Sequence, residues 1–272
     1  MRKLLTFALL ASTAFGAEGY KVLNKIKIGG TGGWDYLTVD ETNRRLYVSH
    51  GSAVEVVDPD AGKVVGKIDQ LHGVHGIAVA PELNKGFITN GQSNSVTVFN
   101  LKTLEKMGEP ATGKGPDAVC YEPKTKRVIT MNHSGNDATV INAATNEIVA
   151  TIQLGPAPEF CVVDGAGKVY VNLEDSSEVL EIDAAKPAVT RRADLAPNQG
   201  PTGLAIDVKN KKLFAAAAQS KTMAVVDIAT FKVIAAPAIG SGERSPVGRQ
   251  PRKATSPPSR KGSSRSRPCI ST

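Results

Sequence analysis

The sequence predicts an all-β chain, a β-propeller built from four-stranded blades. Three observations carry that prediction. A motif recurs at a period of about 40 to 43 residues. Each repeat contains four short strand-like runs. Beyond the N-terminal leader, no stretch shows the apolar spacing of a helix. One repeat offers an apolar face that it cannot bury alone, and radial stacking of repeats solves that problem.

Five repeats are visible. They open with GWDYLTVD from Gly33, GVHGIAVA from Gly73, GPDAVCYE from Gly115, APEFCVVD from Ala157 and GPTGLAID from Gly200, each a turn followed by an apolar strand. The second strands are RRLYVSH ending at His50, NKGFITN at Asn90, KRVITMN at Asn132, GKVYVN at Asn172 and KKLFAAAA at Ala218. Aromatic and β-branched residues dominate, as strands prefer. The third strands end at Asp58, Asn100, Asn142, Asp183 and Asp227. An Asp or Asn there can accept hydrogen bonds from the backbone just ahead, nucleating the turn into a fourth strand such as KVVGKI from Lys63 or EIVATI from Glu147.

On YVSH at Tyr47, FITN at Phe87 and the GPDAV-type openings, the chain resembles the YVTN (YncE-like) family of β-propeller repeat proteins over Tyr20 to Gly242. The resemblance implies a seven-bladed ring, of which five complete repeats are present, with Gly242 standing where a sixth would open.

Both ends depart from the repeat. Residues 1–17 read as a signal peptide: Arg2 and Lys3 precede an apolar run too short to span a bilayer, then small residues up to Ala17. The propeller is expected over 18–242, where YKVLNKIKIGG from Tyr20 reads as a closing strand for the last blade. Residues 243–272 are rich in Ser, Pro, Arg and Lys, lack a strand-length apolar run and read as a disordered basic tail. Such a switch inside a regular repeat suggests a shifted reading frame or a truncation.

The charge follows this division. The chain has 33 basic and 26 acidic side chains, a formal net charge of +7. The tail holds eight basic residues against Glu243 alone, so the whole excess lies there. A near-neutral body argues against nucleic-acid binding by the propeller, leaving it to the tail.

In a propeller, the residue just inside each opening rings one mouth of the channel. Those residues are Asp35, His75, Asp117, Glu159 and Thr202. Carboxylates and an imidazole brought together in this way suit a divalent cation or a cationic ligand. His50, Asn90 and Asn132, at the ends of second strands, are expected to put polar groups on a rim, with His133 beside the last. His72 and His75 form a metal pair only if a turn converges them. GEPATGKG lacks the helix that a phosphate-binding loop requires, GGTGGWD lacks the third glycine and the βαβ setting of a dinucleotide fingerprint, and the glycines of both read as turn glycines.

Cys120 and Cys161 occupy equivalent strands one register apart, so alternation sends their side chains to opposite sheet faces. They are expected to be buried free thiols. Together these features predict an exported, monomeric binding scaffold, periplasmic or extracellular. Its ligand would be a protein, peptide or small molecule. No cofactor is required beyond a possible divalent cation. The alternative is a channel-mouth enzyme of the lactonase or dehydrogenase-subunit kind that the resemblance implies.

Overall fold

The computed structural model describes residues 21–30 and 33–240. The expected leader and basic tail lie outside them. Five four-stranded antiparallel sheets follow one another along the chain, each in simple meander order. Blade 1 holds β1 (Trp34–Asp40), β2 (Arg45–His50), β3 (Ala53–Asp58) and β4 (Lys63–Ile68). Blade 2 holds β5 (Val74–Ala80), β6 (Lys85–Asn90), β7 (Ser95–Asn100) and β8 (Lys106–Gly108). Blade 3 has β9 (Pro116–Glu122), β10 (Arg127–Asn132), β11 (Asp137–Asn142) and β12 (Ile148–Gln153). Blade 4 has β13 (Pro158–Val163), β14 (Lys168–Leu173), β15 (Glu178–Asp183) and β16 (Ala188–Asp194). Blade 5 has β17 (Pro201–Asp207), β18 (Lys212–Ala217), β19 (Thr222–Asp227) and β20 (Lys232–Ala235).

The turn chemistry is as expected. Asp58 accepts from the amides of Asp60 and Ala61, Asn100 from Lys102 and Thr103, Asn142 from Ala144 and Thr145, Asp183 from Ala185 and Lys186, and Asp227 from Thr230. These bonds draw the Asp183 carboxyl down to about 2, with its Lys186 amide bond as the largest cause.

Apolar clusters fill the joints between blades. Tyr47, Val54, Ile88 and Phe99 pack between blades 1 and 2, and Phe87, Val98, Tyr121 and Ile141 between blades 2 and 3. Ile129, Met131, Leu173 and Ile182 fill the third joint, and Tyr170, Leu204, Leu213 and Phe231 the fourth. Each fully buried side chain of this size contributes about 1.5–3 kcal/mol. A polar or covalent tie also crosses each joint near the axis. Thr38 Oγ1 donates to Ile77 O at 2.7 Å, Thr89 Oγ1 to Asp117 O at 2.5 Å, and Asn172 Nδ2 to Pro201 O. A neutral hydrogen bond contributes only about 1 kcal/mol net, so packing holds the blades together more strongly and the ties set their register.

At the third joint the tie is a disulfide between Cys120 and Cys161, whose Cα atoms are 6.1 Å apart. This corrects the expectation of free thiols. The two side chains do leave opposite faces of their sheets. In stacked blades, however, the forward face of one sheet meets the backward face of the next, so opposite faces converge.

The expected closing strand is also corrected. Residues 21–30 form no strand. Instead Ile26 and Ile28 lie on the backward face of blade 1, against Leu46, Val48 and Val57. That face would otherwise expose a full stripe of apolar strand residues, so the segment covers it as a strap.

Candidate cation site at the channel mouth

The inner strands β1, β5, β9 and β13 bring Asp35, His75, Asp117 and Glu159 to one end of the axis. Close backbone approach makes this possible. A Cβ on Gly76 would come within 2.8 Å of Asp117 O and 2.9 Å of Val119 N, so only glycine lets β5 and β9 sit this near. His75 Nδ1 then lies 2.7 Å from Asp35 Oδ2 and 3.5 Å from Asp117 Oδ1. The imidazole is seated beside Gly91, where a Cβ would fall 2.9 Å from its Cδ2 and Nε2.

The Asp35, His75 and Asp117 ligand atoms all lie within 4.8 Å of one another. A second triad adjoins it. His133, Glu159 and Glu174 meet the same limit, with His133 Nε2 at 3.6 Å from Glu159 Oε2. Asp117 and Glu159 act on each other's titration and so connect the two groups electrostatically.

The electrostatics are those of crowded acids. Burial, reinforced by the Asp117 charge, pushes the Glu159 carboxyl up to about 8. Burial likewise raises Asp117 to about 6, a shift that His75 opposes and Asp35 assists. The hydrogen bond to Asp35 raises His75. Four carboxylates share this mouth, and among the described residues no Lys or Arg forms an ion pair with any of them. Tyr36 reaches across from blade 1, stacking on Phe160 at 5.5 Å with its hydroxyl 3.3 Å from Glu159 O. Burial, then the charges of Asp117, Glu159 and Asp35, raise that hydroxyl well above its ordinary value, which keeps it neutral.

Of the residues expected to bind, Asp35, His75, Asp117 and Glu159 are thus gathered. Thr202 contributes no ionisable ligand, and its hydroxyl is buried without a partner. The rim expectation is corrected for three residues. Asn90 is 1% exposed and donates to Ser95 and Thr97, while Asn132 is fully buried and donates to Asp137 and Thr139. Both tie their own hairpins together. His50 is buried and stacked on Trp34 at 3.7 Å. His72 is exposed and joins neither triad.

Sequence reasoning missed Glu174 and gave His133 no place in the ring. The signal was backbone equivalence. The His133 amide donates to Gly115 O and the Glu174 amide to Ala157 O, as Gly91 does to Gly73 O and Ala218 to Gly200 O. The first residue after each second strand therefore forms a second ring, bearing ligand side chains only in blades 3 and 4.

No family model matches the chain, and no curated protein is significantly similar to it. Solved structures share its shape. Kuenenia stuttgartiensis hydrazine synthase aligns over 84% of this chain and 92% of its own at a TM-score of 0.59 and 16% identity. A functionally unknown protein from Desulfotomaculum acetoxidans DSM 771 aligns over 78% and 75%, at 0.65 and 18%. Apo AztD from Citrobacter koseri aligns over 75% of this chain and 60% of its own, at 0.52 and 17%. At these identities the likeness is one of fold, and the molecule is a protein of β-propeller class.

Proposed function

We propose that this chain is an exported propeller of YVTN type, periplasmic or extracellular, that binds a divalent cation at its channel mouth through Asp35, His75 and Asp117. One observation carries the proposal: an imidazole and two carboxylates from three successive blades converge within 4.8 Å, in a mouth with no Lys or Arg ion pair among the described residues. Without a cation the crowded carboxyls hold on to protons, Glu159 up to about 8 and Asp117 to about 6, and a bound cation takes the place of those protons. Nitrogen and oxygen donors together favour a borderline ion such as zinc over calcium. His75 supplies the nitrogen, oriented by Asp35 and lodged against Gly91. Asp117 is held by the Thr89 bond to its carbonyl. Tyr36 borders the site, its hydroxyl 3.3 Å from Glu159 O, and the propeller acts as a binding scaffold at this mouth.

The test is metal analysis of the purified mature chain beside a His75→Ala, Asp117→Ala variant. Metal retained through dialysis by the parent chain and lost by the variant supports the assignment. Equal, trace metal in both after incubation with zinc and manganese refutes it.

A further inference from the structure

We propose that the mouth holds a second divalent cation, on His133, Glu159 and Glu174, beside the first. This rests on the assignment of the first cation to Asp35, His75 and Asp117. The second triad comes from different positions of the repeat. Glu159 belongs to the inner ring, whereas His133 and Glu174 are the first residues beyond β10 and β14, fixed by their amide bonds to Gly115 O and Ala157 O. The same backbone position is glycine or alanine in blades 2 and 5, so only the joint between blades 3 and 4 carries donors there.

The donors are available. The Glu174 carboxylate accepts no hydrogen bond and joins no ion pair among the described residues. His133 Nε2 lies 3.6 Å from Glu159 Oε2, outside hydrogen-bond range. The three ligand atoms lie within 4.8 Å of one another. Tetrahedral donors about 2.0–2.2 Å from zinc stand roughly 3.3–3.6 Å apart, so the triad closes on an ion by side-chain movements of about an ångström. The presence of an imidazole separates the triad from an acidic patch and points to zinc or cobalt, with water or an incoming ligand completing the shell. Asp117, a ligand of the first ion, and Glu159, a ligand of the second, sit on the neighbouring inner strands β9 and β13. The disulfide joining Cys120 to Cys161 ties together the strands that carry them.

The experiment is a titration of chelator-treated full-length protein with zinc, followed by calorimetry, and with cobalt, followed by its visible absorption. The parent chain is expected to take two equivalents. Glu174→Gln and His133→Ala are each expected to take one, retained at the first site. His75→Ala is expected to take one, retained at the second. Circular dichroism selects variants that keep the parental spectrum. Glu174→Gln, a change of charge at nearly constant volume, serves if His133→Ala unfolds. Two outcomes overturn the second site and leave the first: one equivalent in the parent and in Glu174→Gln alike, abolished by His75→Ala, or two equivalents undiminished by Glu174→Gln. No binding by the parent chain overturns both.

Discussion

At the scale of single residues, the mouth depends on what glycine leaves vacant. Gly91→Ala would place a methyl group 2.9 Å from the His75 ring and push the imidazole from its seat. Cation affinity at the first site is expected to fall on the order of tenfold, as when a group that orients a ligand is lost. Calorimetry with zinc reads this out, and unchanged affinity would show that His75 is not a ligand. The crowded acids give a pH dependence with a definite sign. Carboxyls raised to about 6 and about 8 keep their protons above the unfolded value near 4, so their contribution is complete below pH 4. It is lost as the pH climbs through 6 to 8, and the raised His75 changes stability in the same direction. The melting temperature of the metal-free chain is therefore expected to fall from pH 5 to pH 9, less steeply in Glu159→Gln. A rising or flat profile contradicts the placement. The inner ring was legible in the sequence because each of its members follows a recognisable opening. Glu174 was not, because Asn172 reads as the end of the second strand in blade 4 whereas β14 runs on to Leu173, which moves the residue equivalent to His133 one place along. Asn90 and Asn132 misled for a related reason: a polar strand end reads the same whether it faces solvent or bonds its own hairpin.

At the scale of elements, the third strands behave as their Asp and Asn ends predict. Asp183 gives the opposite pH response from the mouth. Its lowered carboxyl stabilises the turn above pH 4, and that contribution disappears as the pH falls through about 2. The disulfide was hidden by treating each sheet separately. Period-two alternation placed Cys120 and Cys161 on opposite faces correctly, yet stacking turns opposite faces toward each other. Its loop has a sequence separation of 41 residues. Closing a loop of that size stabilises by about 4 kcal/mol on the chain-entropy model. A Cys120→Ala, Cys161→Ala variant is expected to lose about that much in urea unfolding while keeping its strand content. No loss would mean that the bridge does not form in solution.

At the scale of the whole molecule, the blade plan follows from a repeat whose turns, strand lengths and apolar faces all agree, which is why its strand boundaries could be read almost residue by residue. The placement of 21–30 could not. An isolated strand-like segment carries no pattern that says which sheet it joins, and here the apolar backward face of blade 1 captures it. Replacing Ile26 with Asp would put a charge against Leu46, Val48 and Val57, and is expected to destabilise the chain by about 2–4 kcal/mol in urea unfolding. An effect under about 0.5 kcal/mol would show that the strap does not cover that face. Stacking assembles the mouth: residues a whole repeat apart in the sequence become one cluster only when the blades are arranged around an axis. The most direct measurement is anomalous diffraction at the zinc edge from crystals of the full-length chain grown with zinc. A peak about 2.0–2.2 Å from a His75 nitrogen and an Asp117 oxygen is the expected result. Fully occupied zinc elsewhere, with none between those two side chains, would contradict a cation site at the mouth.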